Sequence, residues 1–104
     1  MYWKRIFLLL LLPLASCVRY ASYLAELEPP ARYNHPYSGT VVEHVMPLAE
    51  VRDICGYDAT ACAGVFLGTC YMVLPSDGQA PVSVYRRHET AHCNGWAAHH
   101  PRDG

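Results

Sequence analysis

The chain has 104 residues, 52% of them hydrophobic and 16% charged, with a formal net charge of −1. That length holds one small domain. The near-neutral balance, with no basic patch and no aromatic–basic interleaving, argues against nucleic acid as a partner.

Lys4 and Arg5 open the chain with positive charge, and Ile6 to Leu12 is an unbroken apolar run. The run is too short to remain as a membrane-spanning helix and has the layout of an export signal. Leu14-Ala15-Ser16-Cys17 follows it and resembles the lipobox of bacterial lipoproteins. The resemblance implies removal of residues 1–16 and a lipid on Cys17. An ordinary secretory signal cut nearby is the alternative, and both readings export the protein. Val18, not aspartate, follows the cysteine. By the same resemblance, the anchored chain is expected in the outer membrane of the bacterial envelope, facing the periplasm. Without residues 1–16, six basic residues face nine acids, a formal charge of −3, and no lysine remains.

Residues 17–40 read as the lipid anchor and a flexible tether. Ala21 to Leu27 predicts a brief helix that Pro29 and Pro30 stop, and Pro36, Ser38 and Gly39 continue the linker composition. Val41 to Val45 alternates and predicts a strand; Ala49 to Ile54 is expected as another. Cys55 to Gly68, rich in small residues, is expected as loop. Cys70-Tyr71-Met72-Val73-Leu74 is the strongest strand, and Pro75-Ser76-Asp77-Gly78 turns it. Pro81 is placed to open a helix and Gly95 to end it.

About 64 residues then remain for a folded domain, a size that usually needs covalent or metal staples. With Cys17 assigned to lipid, Cys55, Cys62, Cys70 and Cys93 are left. An even number in an oxidising compartment suggests two disulfides, for which three pairings exist. The preferred set is Cys55–Cys62, a short local loop, with Cys70–Cys93 tying the last helix to the strand before it. Cysteine ligation of zinc is the competing idea, but the C-x-x-C spacing of structural zinc sites is absent.

The most informative stretch is His88-Glu89-Thr90-Ala91-His92. Four helical residues turn a side chain by about 400°, so His88 and His92 lie roughly 40° apart on one face. Two imidazoles can then share one metal ion. Glu89, about 100° further round, can reach a water on the metal without crowding it. Val84, Tyr85, His88, Ala91 and His92 mark one face of the helix. The spacing therefore predicts two ligands and a general base.

This helix, preceded by a strand and a turn, resembles the active-site helix of the zincin metallopeptidases. The longer run H-E-T-A-H-C-N-G-W, His88 to Trp96, is also similar to that of a group of short exported bacterial proteins. The resemblance covers roughly residues 55–100. It implies zinc on His88 and His92, with Glu89 as base. The third ligand departs from the known patterns. No glutamate follows Glu89, the metzincin histidine position is Ala98, and no methionine follows Met72. His99, His100 and Asp103 are the remaining candidates, and His100 is preferred because His99 would need a tighter loop.

These readings predict an α+β fold. A small disulfide-stapled domain (41–104) carries a short antiparallel sheet and one H-E-x-x-H helix, after a signal peptide (1–16) and tether (17–40). The implied function is zinc-dependent amide hydrolysis at the membrane, on a peptide or protein substrate that could pair with Cys70–Leu74 by edge addition. Tyr71 and Tyr85 are the nearest candidates to assist an oxyanion, against the simpler reading of core or rim aromatics. The alternative function is a non-catalytic envelope lipoprotein that binds a metal or a protein partner. Within the metal reading, a purely structural zinc competes with a reactive one, and Glu89 argues for the latter.

Overall fold

Pro47 and Pro81 each precede a helix, with φ of −56° and −59°. A missing N–H is harmless there and the fixed φ suits a helix start. A computed structural model describes residues 16–102. Residues 1–15 of the expected signal peptide, and Asp103, lie outside the described residues. Residues 16–27 are helical and are called α1. A 3-10 turn at Ala31–Tyr33 leads to β1 (Thr40–Met46), α2 (Leu48–Cys55), β2 (Cys62–Phe66), β3 (Thr69–Pro75) and α3 (Val82–Cys93).

The fold is α+β, with a three-stranded sheet in the order β1-β3-β2. β2 runs antiparallel to β3, as expected. β1 runs parallel to β3, so the sheet is mixed. The β1–β3 connection carries α2 and β2, which makes parallel pairing possible. β3 is bonded on both sides, so it has no free edge for an added strand; the sheet edges are β1 and β2.

Strand alternation sends Cys70, Met72 and Leu74 of β3 to one face, where each is at most 1% exposed. α3 covers that face, and Tyr85, Ala80 and Cys93 complete the core. Burying side chains the size of Met72 and Leu74 contributes about 1.5–3 kcal/mol each. Arg86 of α3 grips Glu43 of β1 through two bonds of 2.8 Å, tying the helix to the far strand.

Three segments differ from their sequence expectation. Ala49–Ile54 is helix, not strand. Leu48, Val51 and Cys55 are the shielded residues of this stretch, with Val51 fully buried, and their spacing of three and four is helical rather than alternating. The Asp77 carboxylate accepts the Leu48 N–H at 2.6 Å and steadies the helix start from a distant turn. The expected loop Cys55–Gly68 contains β2. Its small residues have little strand preference of their own and are held by pairing with β3 across a two-residue turn, Leu67 (φ 50°) and Gly68 (φ 79°). Finally, the stretch expected as a flexible tether is built into the domain from Tyr23 onward. Tyr23, Leu24 and Leu27 of α1 and Tyr37 beyond it pack against the core. The Asn94 side chain donates to the carbonyls of Tyr33 and His35. The prolines do end α1, but the chain after them runs along α3.

The disulfides are Cys55–Cys62 and Cys70–Cys93, the preferred pairing. The first closes α2 onto β2; the second joins the end of α3 to β3. Loop-closure entropy assigns about 3.4 kcal/mol to the longer loop and about 2.4 kcal/mol to the shorter. In denaturant titrations, C70A/C93A should therefore lose more stability than C55A/C62A. Equal midpoints for the two double variants would contradict this ranking.

Candidate metal centre

α3 is anchored at both ends before any site residue is placed. At its start, Tyr85 Oη accepts the Ala80 N–H at 3.2 Å. Gly78 is needed beside it, because a Cβ there would lie 2.7 Å from that oxygen. At its end, Gly95 takes φ 106°. The Gly95 N–H bonds the His92 carbonyl and the Trp96 N–H bonds the Ala91 carbonyl. This is the left-handed stop expected of Gly95. Cys93 fixes the last turn to β3.

On this helix His88 and His92 bring their Nε2 atoms to 3.2 Å. The Nε2 of His100 lies 3.1 Å from the first and 3.0 Å from the second. Among the described residues these three can share one metal ion. His99 is not in the cluster, and Asp103 lies outside the described residues. None of the four paired cysteines is available as a ligand.

The hydrogen bonds behind the rings settle which nitrogens carry protons. His88 Nδ1 sits 2.8 Å from the Leu27 carbonyl, and His92 Nδ1 sits 2.8 Å from the Trp96 carbonyl. A carbonyl only accepts, so both Nδ1 atoms carry hydrogen and donate. In the neutral ring, Nε2 is then a bare lone pair. Two such lone pairs facing each other repel unless a cation lies between them. Donation of the second nitrogen to a carbonyl is the usual support of a metal-bound histidine. Tetrahedral ligands at about 2.0–2.1 Å from zinc would stand about 3.3 Å apart, close to the spacing found. The three residues fit a metal ion held in this way.

Trp96, 2% exposed, backs the cluster. Its ring stacks on His92 at 4.9 Å and meets His88 edge-on at 5.0 Å. Its indole N–H donates to the Pro101 carbonyl and holds the chain that carries His100. His100 itself adopts φ 59°, a left-handed backbone costing a non-glycine residue about 1–2 kcal/mol.

Glu89 is 6% exposed, and its Oε2 lies 3.9 Å from His88 Nε2. It borders a cavity of about 810 Å³ whose walls include Tyr23, Ala61, Ala63, Trp96 and Ala98. Burial raises the Glu89 carboxyl to about 7. Burial also lowers His88 to about 4, helped by His92, His100 and Arg102 and opposed by the Leu27 bond. His100 is lowered by burial first, then by His92, Arg102 and His99.

The tyrosines divide. Tyr71 is 44% exposed on the sheet face away from α3, remote from the cluster's helix. Tyr85 is 1% exposed, a core residue that also lines the cavity. The sequence reading missed Tyr23, whose hydroxyl bonds that of Tyr85 at 2.7 Å. Burial and the Tyr85 bond push its phenol well above the usual range. No local pattern near Tyr23 pointed to this; Trp96, by contrast, already stood inside the nine-residue motif. No family model, no curated protein and no solved structure matches the chain.

The two buried groups give opposite pH slopes to the metal-free protein. As pH falls from about 6.5 to 4, unfolded chains take up a proton that folded His88 refuses, which destabilises the fold. Between about 7 and 4.5, folded Glu89 binds a proton that the unfolded chain does not, which stabilises it. Glu89→Gln removes only the second effect. With chelator present, its thermal midpoint should fall more steeply on acidification than that of the wild type. Parallel curves would show that Glu89 is not held protonated.

Proposed function

We propose that the protein is a zinc-dependent amide hydrolase, a metallopeptidase held in the bacterial envelope by a lipid on Cys17. The observation that supports it best is the convergence of three Nε2 atoms beside a buried carboxyl on an open cavity. Three neutral imidazoles suit zinc better than magnesium or calcium, which prefer oxygen ligands. Three protein ligands are also the number found in catalytic zinc sites, where structural ones use four. Bound there, zinc supplies Lewis acidity and lowers the pKa of a water to about 7.

The chain's own groups supply the rest. The Glu89 carboxylate takes a proton from water and returns it to the leaving amine. Lying 3.9 Å from the His88 Nε2, the carboxyl is placed to serve both steps. Ala61 and Ala63 put the β2 side of the sheet on the cavity wall, and β2 is an edge strand. An extended peptide bonded to that edge would pass the cluster. Cys17 is exposed and is, among the described residues, the cysteine outside the disulfides. Among the described residues no helix is long and apolar enough to cross a membrane.

The test uses the full-length chain in mild detergent. Elemental analysis should find one zinc per chain in the wild type and none in His88→Ala. Glu89→Gln should keep its zinc while its turnover of an internally quenched peptide library falls by about 10²–10⁴. Zinc-loaded wild type that leaves the library intact would move the protein to the non-catalytic, metal- or partner-binding reading. Separately, Cys17→Ser should release the protein from the membrane fraction of expressing cells. Its retention there would refute the lipid anchor.

A further inference from the structure

α1 ends on three successive carbonyls, and each is taken by the metal centre or its tail. The middle one, from Leu27, accepts the Nδ1–H of ligand His88. The flanking two, from Glu26 and Glu28, accept from the two ends of the Arg102 guanidinium. The last carbonyls of a helix lack partners within it and carry partial negative charge, so a guanidinium is well placed there. Its planar fork can bond two acceptors at once, which a lysine ammonium does in a less fixed way.

Arg102 lies two residues beyond His100, the ligand with the weakest support of its own. His88 and His92 ride on α3 and each has a carbonyl behind its ring. His100 is exposed, sits in a left-handed backbone and belongs to the segment after α3, outside helix and strand. Among the described residues its backbone N–H makes only the local turn bond to Ala97. What holds the tail is on either side of Pro101: the Trp96 indole bonds the Pro101 carbonyl, and Arg102 lies 5.3 Å over the Trp96 ring while gripping α1.

We infer that Arg102 is a positioning residue for the third ligand, and that the end of α1 is the seat on which the metal centre closes. The inference rests on the metal reading above. α1 is then part of the centre, contributing no ligand but orienting two of the three. Removing the guanidinium frees the tail, lowers the local concentration of His100 and leaves a two-histidine site. Loss of such an outer support typically weakens metal binding 10–100-fold.

The experiment compares wild type, Arg102→Ala, Arg102→Lys and His100→Ala as full-length chains in detergent. Zinc affinity is read by chelator competition, and ligand number by the visible spectrum of the cobalt(II) form. Arg102→Ala should bind zinc 10–100-fold more weakly. At saturating cobalt, its spectrum should approach that of His100→Ala, with Arg102→Lys between it and the wild type. The metal-free thermal midpoint should stay that of the wild type. In the wild type, zinc should slow amide exchange across residues 23–28. Wild-type zinc affinity in Arg102→Ala overturns the inference alone. So does an affinity loss matched by an equal loss of metal-free stability, or exchange in α1 that zinc leaves unchanged. A wild type that takes up neither metal overturns the metal reading and this inference together.

Discussion

Two hydrogen bonds organise this molecule: His88 Nδ1 to the Leu27 carbonyl and His92 Nδ1 to the Trp96 carbonyl. Each places a proton on the outer nitrogen and leaves a lone pair on the inner one. Without them either ring could turn its N–H inward and satisfy its neighbour. With them the inner nitrogens face each other as acceptors, an arrangement stable only around positive charge. The acceptors are far apart in sequence, one from α1 and one from the turn after α3. The cluster thereby joins α1, α3 and the C-terminal tail at one point.

The rest of the fold serves to hold α3 still. The sheet gives the helix an apolar floor in Cys70, Met72 and Leu74, and Cys70–Cys93 pins its last turn. Tyr85 anchors the first turn through the Ala80 N–H, and Arg86 reaches across to Glu43. A domain this small has little core to spare, so covalent and polar staples carry a large share of its rigidity. Glu89 illustrates the consequence. It shares the buried side of the helix with Tyr85 and Cys93, one turn away on either side, and burial is what raises its carboxyl into the neutral range.

Where the sequence reading erred, the missing information was long-range. LAEVRDIC has no strong local cap, and the Asp77 carboxylate that steadies it comes from a turn beyond two strands. Cys62–Phe66 is too rich in alanine and glycine to announce a strand, and pairing with β3 supplies what propensity lacks. Residues 23–37 have linker composition, with prolines and scattered tyrosines, yet Tyr23, Leu27 and Tyr37 pack on the core. A stripe only three residues deep looks incidental until its partner surface is known.

The amino-acid order alone determined the helix from Pro81 to Gly95, the one-turn spacing of His88 and His92, the place of Glu89 between them and the central strand, and it gave a preference among the three cysteine pairings. These are short-range matters, set by helical period, glycine's access to positive φ and loop length. The tertiary structure decided that His100 rather than His99 completes the cluster, that β2 and not β3 offers an edge, and that α1 belongs to the site. Each of those depends on which distant groups meet across the sheet and the tail, and helical or strand periodicity carries no record of such meetings.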